Sequence, residues 1–135
     1  MKIAVLVARI LLGLIFCLFG SNGFFSFLPA QLPPGVAGQF LGSLLTSHYV
    51  YLIAATQLLS GILLLINRYV VLALALLAPV IANIVMYHIT MQPAMAQLAV
   101  LATLLWIFLF WRYRAYLSCL WIQKADLEKH TARRR

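Results

Sequence analysis

Eight polar side chains interrupt an otherwise apolar sequence and are the first places to look for chemistry: Arg9, Asn22, Gln57, Ser60, Asn83, Tyr87, His88 and Gln97. Inside hydrocarbon such groups are expensive, so each one needs a reason. Asp126 and Glu128 are the only acids, and both follow the last apolar stretch. Proton-coupled transport through a membrane generally uses an intramembrane carboxylate, and this chain offers none. His48 and His88 fall near the ends of adjacent apolar segments, but a zinc or haem site needs further ligands or a supporting acid. No metal is therefore expected. Cys17 and Cys119 are far apart along the chain and form no CxxC, so they read as small packing residues rather than a redox pair.

Spacing sorts the remaining candidates. Gly13, Cys17 and Gly20 follow Arg9 at helical intervals, making a row of small residues that lets a neighbouring helix approach closely. Arg9 itself can snorkel to headgroups, pair with Asp126 or Glu128, or hold an anionic lipid or ligand. Gln57 shares a face with Ser60, Gly61 and Leu64, which suits an interhelical hydrogen bond or a ligand contact. Pro79, Asn83 and Tyr87 recur every four residues, whereas His88 lies about 140° from Asn83 on an ideal helix. Asn22, Gln57, Asn83, Tyr87, His88 and Gln97 all fall in the middle or outer half of the expected bilayer, and only Arg9 in the inner half. That asymmetry leaves two readings open, a polar-lined pocket capped by residues 36–47 and a dry bundle joined by amide hydrogen bonds.

The elements that must position these residues are four apolar stretches, at about residues 3–25, 49–66, 69–89 and 94–118. Each approaches the roughly 20 helical residues that cross a bilayer. With 65% hydrophobic residues in 135, a soluble domain could not hide this apolar surface. The expectation is one membrane domain over residues 1–135: an all-α, four-transmembrane-helix bundle with a basic polar tail at 123–135. Between the first two spans, Pro29, Pro33, Pro34 and Gly35 precede residues 36–47, which read as a short interfacial or re-entrant helix. Arg9 interrupts the first segment and no A-x-A-like cleavage site follows, so that segment reads as a permanent helix rather than a signal peptide.

Charge sets the orientation. Lys2, Arg68 and the tail share one side under an even number of crossings, and the other connections carry no Lys or Arg. The positive-inside rule then places both termini in the cytoplasm. The net charge of +8 is concentrated beside the last apolar span, which suits anionic headgroups and gives no reason to invoke nucleic acid.

These features together resemble a known family. The sequence reads Arg9-Ile-Leu-Leu-Gly13-Leu-Ile-Phe in the first segment and Gly61-Ile-Leu-Leu-Leu-Ile-Asn-Arg68 at the end of the second. The third contains Leu72-Ala-Leu-Ala-Leu-Leu-Ala-Pro79-Val-Ile-Ala-Asn83-Ile-Val-Met-Tyr-His88. The combination is similar to the DoxX/DoxD group of small bacterial membrane proteins, most closely over residues 53–91. The resemblance implies a multi-pass bacterial inner-membrane protein acting as an accessory subunit of a quinone-linked redox or stress-defence complex. A quinone would be the cofactor, with Arg9, Asn22, Gln57, Asn83, Tyr87 and His88 as ligand-binding candidates. Catalytic residues are not assigned. Many relatives carry an acid where Gln57 stands, so no proton role transfers to this position. The alternatives are a small-molecule or lipid transporter or binding protein, a homo-oligomer, or a purely structural membrane partner.

Overall fold

The computed structural model describes residues 1–29 and 31–121. They form α1 (Lys2–Phe25), α2 (Val36–Thr46), α3 (Val50–Leu65), α4 (Val70–Thr90), α5 (Gln97–Arg112) and α6 (Arg114–Leu117). Short 3₁₀ turns cover Pro93–Met95 and Ser118–Trp121. No strand occurs among the described residues. The fold is all-helical, and two of its helices, α1 and α4, are individually long and apolar enough to cross a membrane. α2 and α3 join at an 85° bend and pass the same test only as a pair. α5 has 16 residues, or about 24 Å at 1.5 Å each, somewhat short of the roughly 30 Å hydrocarbon core. The fourth apolar stretch is thus shorter as a continuous helix than its sequence suggests. Pro93 lies in the 3₁₀ turn before it, and the helix breaks at Tyr113 among aromatic residues of lower helix propensity.

The helix ends follow local turn chemistry. α1 stops at Ser26, which takes a left-handed conformation and donates its N–H to the Asn22 carbonyl at 2.8 Å. Between α3 and α4, Asn67 is left-handed, its N–H reaches the Leu64 carbonyl, and the Arg68 N–H reaches Leu63. This pairing caps the last carbonyls of α3 and reverses the chain at once. Tyr69 is left-handed as well, with φ of 54°, a conformation unfavourable for an aromatic residue.

α1 and α3 form the most extensive interface. A Cβ placed on Gly20 would lie 2.6 Å from the Leu58 amide nitrogen, and one on Gly61 would lie 2.8 Å from the Cys17 amide nitrogen. Gly13 meets Gly61 and Leu65, whereas Gly20 meets Ala54 and Leu58, so the two helices run antiparallel. The small-residue row read from the sequence is the seam of this contact. Ala8, Leu12 and Phe16, on a second stripe of α1, enter a core with Leu64, Val70, Ala73, Leu74, Leu77, Ile81, Ala102 and Leu109. Trp106 of α5 donates its indole N–H to the Leu74 carbonyl of α4 at 3.0 Å, in the turn preceding Pro79.

The outer surface is apolar on every long helix. Leu14 is 53% exposed, Leu52 60%, Ile89 70% and Leu104 60%. Water-soluble monomers rarely expose such continuous apolar surface. Hydrocarbon satisfies it, and the chain is membrane-embedded.

Candidate functional site

The antiparallel order of α1, α3, α4 and α5 sorts the polar residues to two ends. At the end where α4 finishes, Tyr87 and His88 occupy its last turn, both half-buried. The Tyr87 hydroxyl donates to Oε1 of Gln92 at 2.8 Å. Gln92 lies just beyond the helix, and its backbone N–H also bonds the Tyr87 carbonyl. His88 Nδ1 is 2.9 Å from the Ile84 carbonyl. A carbonyl can only accept, so Nδ1 carries a proton, which leaves Nε2 as the ring atom open to a ligand. The Tyr87 and His88 rings meet edge to face at 5.2 Å. Phe40 of α2 completes the group, its ring 5.9 Å from that of Tyr87. The segment expected to cap a pocket thus reaches Tyr87 through one aromatic contact.

This cluster combines an amide with free N–H donors, an imidazole, a phenol and an aromatic face. It can hold a planar polar headgroup by hydrogen bonding and ring contact. Gln92 and Phe40 are the members that sequence reading missed. Phe40 is one of several apolar residues in a short segment, and Gln92 lies where helical periodicity has already ended.

The other candidates do not join this group. Asn22 Oδ1 accepts the Leu28 backbone N–H at 2.7 Å. With its own carbonyl bonded to Ser26, Asn22 is accounted for by fastening the chain as it leaves α1. Asn83 is exposed, together with Pro79 below it, and Gln97 is exposed at the start of α5. Gln57 is half-buried in α3 and forms no side-chain hydrogen bond among the described residues. Ser60 is fully buried, and its Oγ has no partner among the described residues.

The His48 ring meets that of Tyr51 at a tilt, 5.7 Å away, and Tyr51 stacks on Phe24 at 5.7 Å, tying the start of α3 to the end of α1. Each of the two described histidines, His48 and His88, therefore has its own aromatic neighbour. No group of three or more His, Cys, Asp or Glu side chains able to hold a metal occurs among the described residues.

The opposite end holds the cations. Lys2 and Arg9 lie in the first turns of α1, Arg68 in the α3–α4 turn, and Arg112 and Arg114 at the end of α5 and in α6. These five are all the lysines and arginines among the described residues. Arg114 lies 5.0 Å over the Trp111 ring, a cation–π contact. Arg9 alone is buried. Its proposed partners Asp126 and Glu128 lie outside the described residues, as do Cys119's side chain and the basic tail. The Ala8–Leu12–Phe16 core stripe and the Gly13–Gly20 seam flank the same helix.

A comparison with family models, with curated proteins and with solved structures finds no match to this chain.

Proposed function

We propose that the chain is a DoxX-like inner-membrane accessory subunit whose Tyr87–His88–Gln92 cluster, beneath Phe40, binds a quinone headgroup for a redox or stress-defence complex. The observation that carries this reading is the convergence of α2 and the last turn of α4 on one group of aromatic and hydrogen-bonding side chains. A quinone carbonyl needs a donor, which the Gln92 amide supplies once Tyr87 has engaged its oxygen. A quinol hydroxyl needs an acceptor, which Nε2 of a neutral His88 supplies. The apolar tail of such a ligand lies in the same lipid that covers the exposed leucines.

The membrane arrangement proposed with it has four crossings and both termini in the cytoplasm. It is supported by the segregation of Lys2, Arg9, Arg68, Arg112 and Arg114 to one end of the bundle. α1, α3, α4 and α5 are the crossings, and α2 lies at the outer face.

The test is affinity purification in mild detergent, followed by mass spectrometry of co-purifying proteins and extracted quinone. Wild-type protein is expected to bring down redox subunits and retain quinone. Loss of one hydrogen bond in the His88→Ala variant is expected to lower quinone retention about tenfold. Equal retention by wild type and variant, with no redox partner recovered, would sink the proposal.

A further inference from the structure

At the cationic end, Arg9 is 7% exposed, and its Nη1 is completely covered without a hydrogen-bond partner among the described residues. Arginine does not deprotonate in proteins, so this burial places a full positive charge inside the bundle. Burying a charge without a partner is strongly unfavourable, and a guanidinium presents N–H groups in a fork that matches phosphate or carboxylate. No Asp or Glu occurs among the described residues to provide that match.

Snorkelling does not describe this side chain, because a snorkelling arginine keeps its head in water. The register of the α1–α3 seam gives its level. Gly13 faces Gly61 and Leu65, so Arg9, one turn earlier, stands level with the Asn67–Tyr69 turn that ends the bundle there. The headgroup zone of a membrane lies at this end if the positive-inside orientation holds. A cleft of about 600 Å³ opens at the same end, walled by Tyr69, Val70, Leu72, Tyr113, Tyr116 and Leu120 among others. Val70 belongs both to this wall and to the core that includes Ala8, the neighbour of Arg9. An apolar cleft and a buried cation at the same end of the bundle match the two parts of a phospholipid, acyl chain and phosphate.

We infer that Arg9 is the anchor of an oxyanion site at the cationic end of the bundle, occupied by a phosphate group delivered by a membrane lipid. This site is separate from the Tyr87–His88 cluster and stands or falls independently of quinone binding.

The test uses full-length protein in a neutral detergent, with thermal unfolding followed in the presence of phosphatidylglycerol, phosphatidylcholine or inorganic phosphate. Phosphatidylglycerol is expected to raise the Tm of wild-type protein by several degrees. Arg9→Met is expected to keep or raise the lipid-free Tm, because it removes an uncompensated charge, and to abolish the lipid-dependent increase. Arg68→Gln, at an exposed cation, is expected to retain that increase. An equal increase with inorganic phosphate, lost in Arg9→Met, supports the oxyanion site and identifies a free anion as the occupant. A phosphatidylglycerol shift that persists in Arg9→Met overturns the proposal, since it then arises from the exposed cations. Strong energetic coupling between Arg9→Met and the paired change Asp126→Asn with Glu128→Gln, without any lipid effect in wild type, also overturns it by assigning the partner to the chain's own tail.

Discussion

Gly20→Val is expected to destabilise the protein by about 3 kcal/mol or more, at or beyond the upper end of ordinary overpacking effects. A Cβ at this position would lie 2.6 Å from the Leu58 amide nitrogen and 2.9 Å from the Ala54 carbonyl oxygen. Both are backbone atoms within α3, and no side-chain rotation relieves them. The helices must separate along the largest interface in the fold, losing contacts from Gly13 through Gly23. In lipid that loss is not offset by a hydrophobic drive to reassociate, because acyl chains solvate the exposed faces as well as leucine does. Close packing is what holds the pair together. Equilibrium unfolding in mixed micelles measures the effect, and Gly20→Ala should move stability in the same direction by less. Unchanged stability in Gly20→Val would remove α1–α3 as the central seam.

Phe16→Ala is the second large effect, at about 2–4 kcal/mol. Phe16 is 2% exposed and is the largest side chain buried this completely among the described residues. It packs in the core to which α1, α3, α4 and α5 all contribute. The transfer term of the usual large-to-small cost shrinks in lipid, but the cavity and the lost dispersion contacts remain. Leu18→Ala is the paired control: Leu18 lies on the same helix, 48% exposed, and its truncation should change stability little. Equal losses in the two variants would contradict the assignment of the buried and lipid-facing sides of α1.

Much of this packing could be read from the residues. Gly13, Cys17 and Gly20 follow Arg9 at helical spacing, and small residues in a row have little other use within an apolar helix. The helix limits were legible because turn chemistry marks them: Pro33, Pro34 and Gly35 before α2, Asn67 after α3, and Pro93 before α5. The candidate site was legible only in part. Pro79, Asn83 and Tyr87 recur every four residues, yet Pro79 and Asn83 are exposed while Tyr87 is half-buried. Periodicity assigns a face but does not say how far along the helix that face is covered. Here Phe40 of α2 reaches Tyr87 at the last turn. Gln57 was expected to make an interhelical hydrogen bond or a ligand contact; close backbone contact joins α1 to α3 without it, and its amide has no hydrogen-bond partner among the described residues. The burial of Arg9 was equally hidden, since an arginine one turn beyond a small-residue row can follow the seam inward or turn out to headgroups.

The exposed leucines are satisfied by lipid however many times the chain crosses it, so the number and direction of crossings must come from accessibility. Single cysteines introduced as Ser47→Cys, Arg68→Cys, Ala94→Cys and Arg114→Cys, in a background without Cys17 and Cys119, can be labelled with a membrane-impermeant maleimide. All four native positions are exposed in the fold and lie between or beyond the long helices. The account predicts labelling of Ser47→Cys and Ala94→Cys on intact cells, and labelling of Arg68→Cys and Arg114→Cys only after permeabilisation. Labelling of Arg114→Cys on intact cells, or protection of Ser47→Cys under both conditions, would contradict the four-crossing, both-ends-in arrangement.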